Sequence, residues 1–149
     1  MLTDISRKDA SRAYRLRLEL FLHIPIHASD QDIHDLIEAG FPASIVNQLC
    51  DHGTISVEAR DLIISLTTLK TKLMLDQRLT VDESDRLFRV AHITAMAVVL
   101  FGDNEKAGNW LNTPKSRFSG KSPIAMLCTT PGTRRVDELL IQLVEGLVF

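Results

Sequence analysis

Apolar residues recur along the chain at steps of three and four positions, the spacing that lines one face of a helix. No two stretches of alternating apolar and polar residues flank a hairpin turn. We therefore predict an all-α fold. The first three helices are expected at about residues 6–22, 29–40 and 42–53, and Pro25 ends the first because the residue before a proline is driven out of the helical torsion range.

Two short helices with almost nothing between them are predicted next. Ser56 is a suitable N-cap for a helix over 57–63, and Ser65 for one running to about residue 75, because a serine hydroxyl accepts a hydrogen bond from a first-turn N–H. This pattern is typical of a helix-turn-helix, whose second helix enters the major groove of DNA. Ala59 is the small residue expected where the helices approach, whereas Ile63 replaces the glycine of many such turns and predicts a different turn geometry.

The second of these helices has the polar face that DNA binding requires. Leu66, Leu69 and Leu73 are expected on an inward stripe. The residues expected to contact DNA are Ser65 at the cap, then Thr67, Thr68, Lys70, Thr71 and Lys72 on the outward face, and Arg78 just beyond the helix. The cations would equally form an ordinary solvated surface, the usual fate of exposed lysines, so this segment alone leaves both interpretations open.

The longest helix is predicted to begin at a capping box of Thr80 and Glu83 and to end at Phe101, with Gly102 as a left-handed cap. Apolar residues cover nearly every face of its second half, so we expect it to be the central post of the C-terminal half. Three shorter elements are expected after it: a helix through Ala107, Trp110 and Leu111 that ends near Pro114, a brief helical turn after Pro123, and a last helix from about Thr133 to Gly146 that buries Val136, Leu139, Leu140 and Leu143.

Composition narrows the class of protein. A chain of 149 residues, 45% of them apolar, suffices for one compact domain or two very small ones. Cys50 and Cys128 lie far apart inside apolar stretches, which fits a reducing compartment. The N-terminus shows no export signal, and the most apolar stretch, 90–101, is too short to cross a bilayer. We expect a cytoplasmic protein with no membrane partner.

The formal net charge of −2 conceals a local excess of basic residues. Residues 115–135 contain no acidic side chain and five basic ones, namely Lys115, Arg117, Lys121, Arg134 and Arg135. This run would extend a DNA-binding surface, face an acidic patch on a partner, or simply be solvated. The sequence does not choose among the three.

No residue pattern indicates an enzyme or a bound cofactor. His23 and His27 are four residues apart, but Pro25 between them breaks the helix that would align them on a metal, so no metal site is expected. Asp82, Glu83 and Asp85 are better explained by capping and by the helix dipole than by catalysis. Trp110 would stack on nucleic-acid bases, but a tryptophan among apolar neighbours is more often a core residue.

The stretch from Thr80 to Gly146 carries a specific set of residues in order. They are Glu83-Ser84-Asp85-Arg86-Leu87, Phe101-Gly102-Asp103, Ala107 with Trp110-Leu111, Pro114, Gly120, Pro123 with Met126-Leu127, and Gly132 through Arg134-Arg135-Val136 to Leu139 and Gly146. In these residues the chain resembles the C-terminal toxin-binding domain of the Xre/MbcA/ParS antitoxin family. Ile64-Ser65, Thr68-Leu69 and Leu79 likewise resemble the helix-turn-helix of that family, so the resemblance covers about residues 30–149.

Residues 1–28 lie outside the resemblance and are expected to form an N-terminal helix, whose apolar residues favour packing, with a role in dimerisation. In the rest of the chain the resemblance implies two functional regions, an Xre-like helix-turn-helix at 29–79 and the toxin-binding domain at 80–149. It also implies a partner, a RES-domain toxin that consumes NAD and is encoded beside the antitoxin, and a homodimeric complex that represses its own operon. Within the C-terminal domain it assigns toxin binding to Arg134 and Arg135. The alternative is a helix-turn-helix regulator without a toxin, whose C-terminal half dimerises or senses a ligand.

Leu147, Val148 and Phe149 follow Gly146 and are all apolar. Leaving them in water would forfeit about 1.5–3 kcal/mol for each large side chain, so they should be buried. They would fold back on the last helix, as residues after a glycine cap often do, or enter the cleft of another protein. Taken with the family resemblance, the second interpretation is favoured: this end of the chain occludes the active site of the toxin.

Overall fold

The structure is a computed structural model that describes residues 7–146. Within this range the fold is all-α, as predicted, and contains no β-strand. The helices are α1 (Arg7–Leu22), α2 (Asp30–Ala39), α3 (Ala43–Asp51), α4 (Val57–Ile63), α5 (Leu66–Met74), α6 (Val81–Phe101), α7 (Asn104–Asn112), α8 (Pro123–Met126) and α9 (Thr130–Gly146), with a short 3-10 helix at Ser116–Phe118 between α7 and α8.

Polar side chains fix where most of these helices begin. The hydroxyls of Ser29, Ser56, Ser65 and Thr80 each accept a hydrogen bond from the backbone N–H three residues later. At Thr80 the bond is reciprocated, since its own N–H donates to the Glu83 carboxylate over 2.8 Å. Each such cap contributes about 1 kcal/mol. The predicted starts of α4, α5 and α6 are therefore confirmed.

The α6 helix is the central post, as the sequence predicted. It packs against α1, α2, α4, α7 and α9. Along its length Leu87, Val90, Ile93, Ala95 and Ala97 are almost fully buried. Gly102 ends it in the left-handed conformation, with φ at 97°. Helices from both halves of the chain pack against α6, so this helix joins the two halves.

A polar bridge joins α1, α6 and α9. The Tyr14 hydroxyl lies 2.5 Å from His92 Nδ1, and His92 Nε2 lies 2.9 Å from a carboxylate oxygen of Asp137. Burial raises the pKa of Tyr14, so the phenol stays protonated and donates to the imidazole. The imidazole in turn donates its other N–H to Asp137. The N-terminal helix is thereby tied to the C-terminal half.

The last helix differs from its prediction in two respects. It begins at Thr130, three residues before the expected Thr133, because the Thr129 hydroxyl accepts a hydrogen bond from the Gly132 N–H at 3.0 Å and Pro131 is tolerated in a first turn. Glycine is required at 132, since a Cβ there would lie 2.0 Å from the Met126 carbonyl oxygen. The expected burial of Leu143 is wrong: it is 38% exposed.

Within residues 7–146 no single helix is long and apolar enough to cross a membrane. The α6 and α7 helices pass that test of length and hydropathy only when taken together, and they meet at a bend of 116°.

Candidate nucleic-acid interface and partner-binding domain

The turn between α4 and α5 consists of Ile64 and Ser65 alone. Ile63 is fully buried as the last residue of α4, and Ile64 takes an extended backbone with φ at −161°. A β-branched residue suits an extended backbone, so this turn needs no left-handed glycine. From α6, the Arg86 Nε donates a hydrogen bond of 3.1 Å to the Ile63 carbonyl, so this carbonyl at the turn has a partner. The turn thus accommodates Ile63 without disrupting the helix pair.

The α5 helix turns one face to the protein and another to solvent. Leu69 is buried and Leu73 is partly buried against the core, as expected. The predicted outward residues Thr67, Thr68, Lys70 and Thr71 are all exposed. Leu66 does not belong to the inward stripe, because 46% of its surface remains exposed. The structure therefore corrects the predicted pattern at Leu66.

Two threonines of α5 already take part in local hydrogen bonds. The Ser65 hydroxyl accepts from the Thr68 N–H at 3.2 Å and lies 2.9 Å from the Thr68 hydroxyl, to which it donates. The Thr71 hydroxyl donates to the Thr67 carbonyl at 3.1 Å. The hydroxyl protons of Ser65 and Thr71 are thus engaged within the helix. The sequence predicted where Ser65 and Thr71 lie, but it did not show that their hydroxyl protons take part in hydrogen bonds within the protein.

The expected outward position of Lys72 is wrong. Its ammonium lies 2.9 Å from a Glu83 carboxylate oxygen, and the two side chains are only 13% and 12% exposed. Lys72 also donates to the Arg78 carbonyl at 3.2 Å. Burial alone raises the pKa of Glu83, but hydrogen bonds from Lys72 and from the Thr80 N–H, with the Lys72 charge, outweigh burial and hold that pKa below its ordinary value. Lys72 therefore ties α5 to the start of α6.

Arg78 is exposed in the loop after α5, as expected, but part of its guanidinium is engaged. Nη1 donates to the Gly40 carbonyl at 2.7 Å. The Leu79 N–H next to it donates to the Phe41 carbonyl at 2.8 Å. Gly40 is in the left-handed region at φ 87°, and a Cβ there would lie 2.4 Å from the Leu79 carbonyl oxygen. This close approach fixes the loop beside the N-terminus of α3.

The basic residues of 115–135 lie on the C-terminal half, and two of them pack on aromatic rings. Lys115 lies 5.2 Å from the Trp110 ring centre, and Arg135 lies 5.4 Å from that of Phe118. Arg135 also donates to the Arg117 carbonyl at 2.8 Å. Arg134 and Arg135 are both exposed. Arg134 is therefore accessible to a partner. Arg135 is exposed too, but it also contacts Phe118 and the Arg117 carbonyl within its own domain.

Trp110 is only partly buried, and its ring lies 5.6 Å from the ring of Phe101 against the core. This confirms the expected packing role. The predicted toxin-binding residues Leu147, Val148 and Phe149 lie outside the described residues. On the last two turns of α9, Ile141 and Leu143 are exposed, at 40% and 38%. Because they are two positions apart, these side chains face different sides of the helix.

Among residues 7–146, one group of side chains brings possible metal ligands together. His34, Asp35 and Glu38 on α2 place ligand atoms within 4.8 Å of one another, and all three are exposed. His34 and Glu38 also lie 3.6 Å apart as a pair one turn apart on the helix. Exposed acidic groups commonly have this spacing, and the cluster is no more than a solvated face.

Two short serine-capped helices at a tight turn, joined through α6 to a second helical unit, define a helix-turn-helix DNA-binding protein with a separate partner-binding region. Comparison with known families identifies both regions. Residues 32–92 match the antitoxin Xre-like helix-turn-helix domain, and residues 96–146 match the antitoxin Xre/MbcA/ParS C-terminal toxin-binding domain. The chain belongs to the Xre antitoxin family.

Individual relatives agree with this assignment. The chain is 50% identical to antitoxin Xre of Pseudomonas putida over 146 residues, which cover 98% of this chain and 92% of the relative. It is 30% identical to antitoxin Xre of Yersinia enterocolitica over 75% of this chain and 78% of that protein. Antitoxin Xre of Photorhabdus laumondii is 26% identical over 81% of this chain and 84% of its own length. The two matched regions meet inside α6, the helix that both share.

Proposed function

We propose that this antitoxin neutralises a RES-domain toxin that consumes NAD, that the C-terminal end of the chain occludes the toxin's active site, and that the complex represses its own operon. In this proposal residues 29–79 bind DNA and residues 80–149 bind the toxin. The chain itself performs no catalysis and acts in the cytoplasm.

The observation that carries the toxin-binding proposal is the exposure of large apolar side chains near the end of α9. Ile141 and Leu143 are exposed there, on different sides of the helix, inside the region that matches the toxin-binding domain. Leu147, Val148 and Phe149 follow directly in the sequence. Large apolar side chains that become desolvated in an interface supply much of its binding free energy. A partner that surrounds this end of the helix would cover Ile141 and Leu143 and take up the three apolar residues that follow.

Arg134 and Arg135 are the proposed polar contacts of the same interface. Both are exposed and both belong to the matched toxin-binding region, which favours a partner protein over DNA for this end of the basic run. An arginine fork pairs with two carboxylate or phosphate oxygens at once. Arg134 is the stronger candidate, because Arg135 is already hydrogen-bonded to the Arg117 carbonyl.

We propose that the protein binds its operator as a homodimer through α1. Leu18 and Phe21 of that helix are buried in the core, whereas Leu16 and Leu20 are exposed at 43% and 65%. These two leucines lie one helical turn apart, so they form an apolar stripe that a second copy would cover. A dimer places its two recognition helices on successive turns of one DNA face, about 34 Å apart or a multiple of that distance.

The proposed DNA contacts are Thr67, Thr68, Lys70 and Thr71, flanked by Ser65 and Arg78. Lys72 is left out, because its ammonium is paired with Glu83. Lys70→Ala is expected to weaken operator binding and to reduce the slope of log affinity against log salt by about 0.9, the value for one phosphate contact. Fluorescence anisotropy over a salt series measures both quantities. An unchanged slope would mean that Lys70 touches no phosphate.

Copurification tests the proposed partner. The full chain and the RES-domain product of the neighbouring gene are expressed together with a tag on the toxin only. The proposal predicts that the untagged chain is retained in a defined ratio, and that Arg134→Glu reduces retention while Lys70→Glu, at an exposed cation on α5 outside the toxin-binding domain, does not. If the untagged chain is never retained, the protein is a helix-turn-helix regulator without this toxin.

A further inference from the structure

The solvent-facing side of α5 is more apolar than a DNA-reading surface usually is. Leu66 is 46% exposed and Met74 is 83% exposed. At about 100° per residue, Leu66, Lys70, Met74, Thr67 and Thr71 fall in that order within one arc of about 140°. Two large apolar side chains therefore share the arc with one cation and two threonines.

Part of the hydrogen-bonding capacity of this helix is already used within the protein. The Thr71 hydroxyl donates to the Thr67 carbonyl, and the Ser65 hydroxyl donates to Thr68. Because these protons are used, Thr71 presents its methyl group and an acceptor oxygen rather than a free donor. Lys72 is withdrawn into its pair with Glu83, which leaves Lys70 as the exposed cation of α5.

The two exposed apolar side chains suit this face to reading thymine, while Lys70 remains able to donate to phosphates or bases. Guanine is usually recognised in the major groove by hydrogen-bond donors from arginine or lysine, whereas thymine offers an acceptor oxygen and the C5 methyl group. An apolar side chain gains by covering that methyl group. Residues at the N-terminus of a recognition helix are the ones that meet base edges, and Leu66 is the first residue of α5.

We infer that α5 recognises its operator through thymine methyl groups, with Leu66 as the main specificity-determining residue and Met74 as a second contact. This inference rests on DNA binding by the α4–α5 pair and adds the chemistry of the bases that it selects. The half-sites are accordingly expected to carry thymine opposite Leu66.

Replacing thymine with uracil tests the inference, because uracil keeps every hydrogen-bonding group and lacks only the methyl. The probe is the duplex directly upstream of the chain's own gene, made once with thymine and once with deoxyuridine at every thymine position. The full-length protein is titrated into each. Wild type is expected to bind the uracil duplex more weakly, by about four-fold for each methyl group it covers.

Two variants separate direct contact from an effect on DNA shape. Leu66→Ser is expected to bind the thymine duplex more weakly and to lose most of the discrimination between the two duplexes, with the remainder due to Met74. Val57→Ser is the matched control, because Val57 is also an exposed apolar first residue behind a serine cap, on the helix before the turn. It should keep the full discrimination. Circular dichroism and thermal melting verify that both variants are folded.

Three results would overturn the inference. Equal binding of wild type to both duplexes would show that methyl groups are not read. Undiminished discrimination by Leu66→Ser would assign the methyl effect to DNA stiffness or to another residue. If wild type binds neither duplex, operator binding itself fails, an outcome that is distinguishable from binding without thymine preference.

Discussion

Replacing Val148 and Phe149 with serine is expected to weaken inhibition of the toxin by about 100-fold or more. Each large side chain that enters a protein cleft contributes about 1.5–3 kcal/mol, so losing two removes at least about 3 kcal/mol of binding free energy. The measurement is the concentration of antitoxin that halves NAD consumption by the toxin. Operator affinity of the double variant should be unchanged, since neither residue is among the proposed DNA contacts.

Val57→Ser provides the control for this substitution. Val57 is an exposed apolar residue at the start of α4, outside residues 80–149 and outside the region that matches the toxin-binding domain. Its replacement should leave inhibition intact. Full inhibition by the Val148 and Phe149 double variant would show that these two side chains do not occupy the toxin's cleft and that they pack elsewhere.

Lys72→Met is expected to destabilise the protein by about 3 kcal/mol, the usual cost of removing one partner of a buried ion pair. For a chain of this size that loss lowers the melting temperature by about 10 °C. The cause is the Glu83 carboxylate, which would remain buried at 12% exposure without its ammonium. Lys70→Met on the same helix is the matched control, because Lys70 is exposed and its loss should shift melting very little.

Acidification should narrow the difference between Lys72→Met and wild type. Hydrogen bonds and the Lys72 charge hold the Glu83 pKa below its ordinary value despite burial. The ion pair therefore stabilises the fold fully above that value, and its contribution is lost as pH falls through the lowered pKa. Without Lys72 the carboxyl takes up its proton at higher pH. A difference that stays constant from neutral pH to below about pH 4 would contradict this role of the pair.

Much of the secondary structure could be predicted because helix ends depend on residues close together in sequence. The caps at Ser56, Ser65 and Thr80 each act on a backbone N–H three residues away, and Gly102 acts on the turn that precedes it. Burial of the second half of α6 followed from the apolar residues on nearly every face of it. Local chemistry of this kind is visible in a sequence without knowledge of the fold.

Tertiary contacts were the features that the sequence did not show. Lys72 and Glu83 lie on two different helices, so no helical period relates them. The bridge from Tyr14 to His92 spans 78 residues. The start of α9 was predicted too late because Pro131-Gly132 has the character of a turn, whereas here the proline occupies a first helical turn and the glycine fits against the Met126 carbonyl.

The candidate DNA interface was predictable in outline only. The outward threonines and Lys70 follow from the spacing of Leu69 and Leu73, which are buried or partly buried. The exposure of Leu66 could not be read from that spacing, because a leucine at the first position of a helix can lie on the edge of either face. Which polar groups remain free depends on hydrogen bonds that only the folded structure displays.

The most direct test of the central claim is NAD consumption by the purified RES-domain product of the neighbouring gene as the full-length chain is titrated in. NAD consumption is expected to stop once the chain reaches its binding ratio with the toxin, and the Val148 and Phe149 double variant is expected to require a large excess. Undiminished NAD consumption at saturating wild-type chain would show that the chain does not inhibit this toxin.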